Sequence, residues 1–248
     1  MSYASKWSNI DVNKRIVLRQ LKNYCDLLKW KNYKENCIDV GCGEAIDKLD
    51  DMIQFGREHN SHEKIEYHTM DILNDRMIKN MLNQFDRLFS FFVSHLIPDT
   101  RTFLTNLHNI LKLDGQMLVI TPSDTIFKQV SSELYQDERW LRYKLQKPIF
   151  TDYTANPVHH ITGLLQKIGF KVDLCESNKQ FISVHNFKGF VAAIVDMYQN
   201  LGALPTELWQ VFSEEFLQKC REKCNNLGED EKYDMPIEFP VFIATKLS

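Results

Sequence analysis

Apolar positions along the chain follow two rhythms that take turns. Over residues 11–30, Val12, Ile16, Leu18, Leu21, Leu27 and Leu28 fall near helical spacing. Residues 37–43 (CIDVGCG) are a short apolar run closed by glycines, which predicts a buried strand and a tight turn. A helix is expected over 50–59, an alternating strand over 65–72 (IEYHTMDI) and a short helix over 74–84. The run at 85–97 (FDRLFSFFVSHLI) predicts a central strand followed by a loop carrying His95. An amphipathic helix over 99–115 stops at an Asp-Gly turn, and 115–123 (GQMLVITPS) reads as another buried strand ended by Pro122. Strand and helix in alternation predict a parallel sheet with crossover helices.

The second half changes character. Helices are expected over 124–146, 157–168 with Pro157 in the first turn, 187–200 and 205–226. Strands are expected over 169–177 and 239–247. A last strand after so long a connection suits a sheet whose final strand inserts antiparallel. The whole of 1–248 reads as one domain. Residues 35–123 form its cofactor-binding core, 1–30 and 124–236 its N-terminal helix and helical insertions, and 237–248 its last strand.

Charge and cysteine content narrow the function. Thirty Lys plus Arg against 33 Asp plus Glu leave a net charge of -3, so there is no basic field for nucleic acid or an anionic membrane. No run approaches eighteen apolar residues, and the polar opening MSYASKWSNIDVNKR does not read as a signal peptide. The six cysteines, Cys25, Cys37, Cys42, Cys175, Cys220 and Cys224, contain no CxxC pair and read as reduced thiols of a cytoplasmic protein. No metal site is expected, since His159 and His160 have no acidic third partner.

Chemistry concentrates at the ends of the predicted strands. Asp39-Val40-Gly41-Cys42-Gly43 follows a buried strand, and glycines there let the backbone approach a ligand because no Cβ intervenes. Asp39, two residues before the first glycine, can accept from a ligand amine or an ordered water. Asp71-Ile72 ends the next strand; the pair can grip an adenine, or Asp71 can cap the helix at 74. Ser90-Phe91 and Ser94-His95 follow the third strand, where a reactive end of a cofactor would lie. His95 can serve as a general base or as a hydrogen-bond donor to a carboxylate.

The order of these motifs, strand-DVGCG, strand-MDI, strand-FDRLFSFFVSHLI and helix-LKLDGQMLVI, resembles the class I S-adenosylmethionine-dependent methyltransferases. Residues 85–120, 168–181 and 187–217 carry a finer likeness to the insect juvenile hormone acid O-methyltransferase-like proteins. The resemblance implies an α/β, Rossmann-like sheet with helices on both faces and S-adenosyl-L-methionine as cofactor. It implies that Gly41, Cys42 and Gly43 approach the methionine and ribose, that Asp71 and Ile72 hold adenine, and that Ser90 and Phe91 flank the sulfonium. His95 matches the histidine expected to help hold the carboxylate of a small apolar acid. Family members usually have Trp after that histidine, where this chain has Leu96. Their N-terminal helix carries a Gln that contacts the acceptor, and the nearest candidate here is Asn13.

The same comparison exposes a gap. The family places a helix and a second strand between the glycine loop and an acid that binds the ribose hydroxyls. Here Ala45 to Met52 resembles the end of that second strand and the start of its helix, with Asp47 as the ribose acid. The first helix and most of the second strand are missing on this alignment. Only 28 residues lead from Gly43 to Asp71, too few for the full passage, which needs a helix of about 11–12 residues and strands of about 5–6. One resolution has the strand at 65–70 sliding in to pair with the strand at 37–41. Two readings follow: an O-methyltransferase acting on an apolar carboxylic acid, or a non-catalytic relative with impaired cofactor binding that holds an apolar ligand or regulates.

Overall fold

A computed structural model of the protein describes residues 11–41, 46–47, 50–59, 62–97, 99–123, 125–141, 143, 156–200, 204–228 and 230–247. The N-terminal helix α1 (Asp11–Tyr24) leads into β1 (Cys37–Asp39), β2 (Ile46–Asp47), α2 (Asp50–His59), β3 (His68–Thr69), α3 (Asp75–Lys79), β4 (Phe85–Phe91), α4 (Thr100–Ile110) and β5 (Leu111–Ile120). Helices α5 (Ile126–Gln136), α6 (Glu138–Leu141) and α7 (Pro157–Ile168) follow, then β6 (Phe170–Val184), α8 (Phe187–Asn200), α9 (Trp209–Lys223) and β7 (Tyr233–Lys246).

Five strands form one sheet in the order β1-β4-β5-β7-β6. Strands β1, β4 and β5 are parallel, and β7 inserts antiparallel between β5 and β6, as the long connection before the last strand suggested. Both faces of this sheet are buried. Along β5, Met117 and Val119 point to one face, where they meet α4 and α7 through Phe103, Leu107, Ile161 and Leu165. Leu118 and Ile120 point to the other, where Phe127, Val130, Phe187 and Phe216 pack. A strand covered on both sides reads as a continuous apolar run, which is why β5 was legible without any alternation.

Strands β2 and β3 form a separate parallel pair of two residues each. Strand β3 therefore pairs with β2, not with β1 as the sliding alternative supposed. Six residues separate Asp39 from Ile46, whereas a parallel crossover ordinarily needs a dozen or more, so β2 cannot be laid alongside β1 in the usual way. Among the described residues β1 has a ladder partner on one side only, β4.

Several elements depart from the sequence expectation. The strand expected at 65–72 shrinks to His68–Thr69 because its partner offers only two residues to pair with. The apolar run from 85 leaves the sheet at Phe91, since Phe92 turns to φ +59° and breaks the ladder. Strand β5 begins at Leu111 and not at 115; Asp114 at φ +60° and Gly115 are absorbed as a bulge between the Phe85–Leu111 and Arg87–Gln116 pairings. The helix expected over 124–146 breaks at Asp137, whose carboxylate accepts from the Arg139 N–H at 2.9 Å. Strand β6 runs on to Val184 because the last strand starts at Tyr233, not 237 or 239, and the two pair along their whole length. Helix α1 buries Ile16, Gln20 and Tyr24, spaced by four, while Leu18 and Leu27 stay in solvent.

Polar contacts tie the start of the chain to the sheet at the end away from the glycine turn. The Arg87 guanidinium, buried at the foot of β4, pairs with Glu35 at 2.8 Å and donates to the Lys29 carbonyl. Beside it, burial works against the charge of Asp86. Hydrogen bonds from Lys112 at 2.7 Å, the Asn36 N–H and Lys31 more than reverse that, holding the carboxyl well below its ordinary range. At the opposite end, level with Ile120 and Phe91, the Tyr24 hydroxyl donates to Glu176 at 2.6 Å and fixes α1 against β6. No helix among the described residues is long and apolar enough to cross a membrane.

Candidate functional site

The carboxyl ends of β1 and β4 meet in one place. The Val40 N–H donates to the Phe89 carbonyl at 2.9 Å, and the buried Ser90 hydroxyl donates to the Val40 carbonyl at 3.0 Å. Two strands that would otherwise diverge beyond the ladder are thus stitched for one residue more. Gly41 then turns the chain at φ +72°, in the region that L side chains rarely adopt. A Cβ there would lie 2.4 Å from Val93 Cγ2 and 2.7 Å from Val93 Cγ1. Glycine is needed at 41 twice over, for its dihedral and for the close approach of the segment after β4.

That segment is built by strain. Phe92, a bulky residue at φ +59°, still donates its N–H to the Ile120 carbonyl at 2.9 Å, and its ring meets Phe239 edge-on at 5.6 Å. Such conformations persist only where packing over-determines them, and they cluster at functional sites. The turn buries Val93, Ser94 and His95. The His95 Nδ1 lies 3.4 Å from the Thr121 Oγ1 at the end of β5. Burial pushes the His95 pKa down to about 3, so the ring is neutral at physiological pH. A ring this hard to protonate is a poor general base, which leaves hydrogen bonding as the better of its two sequence-derived roles.

Asp71 and Ile72 stand on the connection from β3 to α3. The Asp71 carboxylate is exposed and accepts from the Leu73 N–H at 2.9 Å, making a local turn. The cap of α3 is Asn74, which accepts from the Arg76 N–H, so the alternative of Asp71 as that helix cap does not hold. Ile72 is buried in the apolar cluster that holds Val40 and Val93, and its carbonyl accepts from the Asn106 side chain of α4 at 2.8 Å.

The structure thus gathers Asp39, Gly41, Ser90, Phe91 and His95 at adjoining strand ends, with Ile72 packed into the same cluster as the glycine turn. Phe91 is buried, in ring contact with Phe89 at 6.1 Å. Cys42 and Gly43 lie outside the described residues, as do the side chains of Asn13 and Asp47; the Asp47 backbone pairs with Thr69. Sequence reasoning missed Phe92, Val93, Thr121 and Asn106. A threonine directly before Pro122 at a strand end was the one available signal for Thr121.

A family profile described as methyltransferase domain matches residues 44–119. Over those residues the chain resembles a methyltransferase domain. It is 24% identical to juvenile hormone acid O-methyltransferase of Bombyx mori over 88% of this chain and 87% of that protein. It is 22% identical to the Drosophila melanogaster enzyme of the same name over 91% and 86%. In fold, the chain resembles a Bacillus halodurans protein described as a methyltransferase, at TM-score 0.58 and 15% identity over 92% of this chain and 99% of that one. It also resembles Haemonchus contortus phosphoethanolamine N-methyltransferase 2, which was determined with S-adenosylhomocysteine bound, at TM-score 0.51 and 15% identity over 93% and 53%. The sheet thus has the fold of these solved methyltransferases.

Proposed function

We propose that the protein is a cytoplasmic, S-adenosylmethionine-dependent O-methyltransferase that esterifies the carboxylate of a small apolar acid of the juvenile hormone acid, farnesoic acid or fatty acid type. The observation that carries this reading is the joined ends of β1 and β4, where a side-chain-free Gly41 sits one short turn from a buried, neutral His95. Gly41 turns the chain at φ +72° directly after β1, at the carboxyl ends of the parallel strands, where open sheets of this kind take their ligands.

When bound, S-adenosylmethionine supplies a methyl group already activated on a sulfonium. In the proposed assignment Gly41, Cys42 and Gly43 run along its methionine and ribose, Asp39 accepts from its amine and Asp47 from the ribose hydroxyls. Asp71 and Ile72 hold the adenine, and Ser90 shapes the sulfonium region through its bond to Val40 while Phe91 lines it. His95 and Asn13 orient the acceptor carboxylate. That carboxylate is ionised at neutral pH, so it would need no strong base to take the methyl group, the sulfonium's S–CH3 bond breaking to leave the neutral thioether S-adenosylhomocysteine; a histidine that resists protonation is consistent with this demand. Catalysis then comes from proximity and from the exclusion of water by the aromatic face that includes Phe91, Phe127 and Phe190.

Calorimetric titration with S-adenosylmethionine and S-adenosylhomocysteine tests the first half, and methyl transfer to farnesoic, juvenile hormone and fatty acids the second. No heat with either cofactor form sinks the reading. A second reading is favoured by the pairing of β2 with β3 apart from β1: a relative that holds an apolar ligand but has weakened cofactor binding. It predicts farnesoic acid binding without cofactor heat, and tight S-adenosylhomocysteine binding would rule it out.

A further inference from the structure

At the carboxyl end of β5, Thr121 is fully buried, and its position is rigid. Its N–H donates to the Pro240 carbonyl at 3.1 Å, which holds it against β7, and the preceding Ile120 carbonyl accepts from Phe92 at 2.9 Å. The left-handed turn at Phe92 then folds the chain back, and the following Ser94–Leu96 turn brings the His95 ring over the threonine. Among the described residues the Thr121 hydroxyl has one hydrogen-bond partner, His95 Nδ1 at 3.4 Å.

The direction of that bond follows from what each group needs. A hydroxyl has one hydrogen to give, and a neutral imidazole has one nitrogen that accepts and one that donates. If Nδ1 carried the proton and gave it to Thr121, the hydroxyl hydrogen would be buried with nothing to bond, and such an orphaned group is costly. If Thr121 donates to Nδ1, the hydroxyl hydrogen is satisfied and the ring proton must sit on Nε2. The length lies at the long end of the range, which is common for active-site hydrogen bonds in ligand-free structures.

We infer that Thr121 is a positioning residue: it fixes His95 as the tautomer protonated on Nε2, making the histidine a hydrogen-bond donor to the acceptor carboxylate. The tautomer stands on the geometry alone; the donor role rests on the carboxylate-acceptor reading above. The rigid sheet position matters because a donor must be held to within a fraction of an ångström to tell a carboxylate from water.

Nitrogen-15 correlation spectra of the His95 ring in the full chain test the tautomer without any substrate. The expected result is a neutral ring protonated on Nε2 in the wild type and in Thr121→Ser, and loss of that single tautomer in Thr121→Val. A wild-type ring protonated on Nδ1, or a Thr121→Val ring unchanged from wild type, overturns the inference. With farnesoic acid as probe, Thr121→Val should raise the KM for the acid about tenfold, with Thr121→Ser near wild type and S-adenosylhomocysteine binding unchanged in both. An equal loss of cofactor binding in Thr121→Val would mark the threonine as merely structural and overturn the positioning role. If wild-type protein binds cofactor but methylates no acid, the carboxylate reading falls with the donor role, and the ring spectra alone decide the tautomer.

Discussion

Replacing Gly41 by alanine separates two demands that meet at one atom. The first is conformational: at φ +72° an L residue pays about 1–2 kcal/mol for the left-handed region. The second is steric, because the new Cβ would lie 2.4 and 2.7 Å from the two Val93 methyls, and overpacking of this kind costs about 1–3 kcal/mol. Alanine also stiffens the unfolded chain, offsetting about 0.4–1 kcal/mol. The net expectation is a loss of roughly 2–4 kcal/mol, and with a urea slope of about 3 kcal/mol/M the midpoint drops by about 1 M. The double variant Gly41→Ala/Val93→Ala tests the partition. Trimming Val93 removes both clashing methyls and leaves its Cβ at 3.1 Å, so the steric part returns and the dihedral part stays. The cycle should then show about 1–3 kcal/mol of favourable coupling, measured by urea unfolding followed by circular dichroism. A single variant within about 0.5 kcal/mol of wild type, or a cycle additive within that margin, would refute the reasoning.

Three further outcomes are expected. Burial holds His95 neutral down to about pH 3 while the unfolded histidine takes a proton near 6.5. The unfolded state therefore binds more protons in that window, and stability should fall by about 1.4 kcal/mol per pH unit on acidification below pH 6.5. His95→Gln should show a shallower slope than wild type; equal slopes in parallel denaturation series would contradict the buried, neutral ring. Glu35→Ala strands the buried Arg87 guanidinium and should cost about 3–5 kcal/mol in urea midpoint analysis, whereas Lys171→Ala, which removes a solvent-facing lysine from Asp173, should shift the midpoint far less. Asn106→Ala leaves the Ile72 carbonyl buried without its donor, at about 1–3 kcal/mol. Because that carbonyl ties down the loop bearing Asp71, S-adenosylhomocysteine affinity measured by calorimetry should fall with it.

How much of this was readable beforehand depended on which force set each feature. Strand β5 was legible because burial on two faces writes itself into composition as Met117-Leu118-Val119-Ile120. Helix α7 was legible from both ends, with Pro157 in its first turn and Gly169 at φ +112° as its stop. Strand β3 was read too long and β6 too short for one reason: a strand's extent is set by its partner, two residues of β2 in one case and fourteen of β7 in the other, and partners are far away in sequence. The site divides similarly. Gly41 announced itself, since a glycine after an apolar strand has a local cause. The αL turn at Phe92 has none, because phenylalanine does not favour it; distant contacts such as Phe239 enforce it. Thr121 and Asn106 likewise act through partners that lie 26 and 34 residues away.

The antiparallel insertion of β7 sets a schedule for biosynthesis. During elongation the facing edges of β5 and β6 stay open until residues 233–246 exist, since only β7 joins them. Translation at about 5–20 residues per second takes roughly 3–12 s to add the 62 residues from His185 to Lys246. For that interval a nascent chain displays a fifteen-residue strand with Phe181 in solvent and no central neighbour, the kind of edge that invites pairing between chains. The growing polypeptide is most open to such pairing between the synthesis of Val184 and that of Lys246.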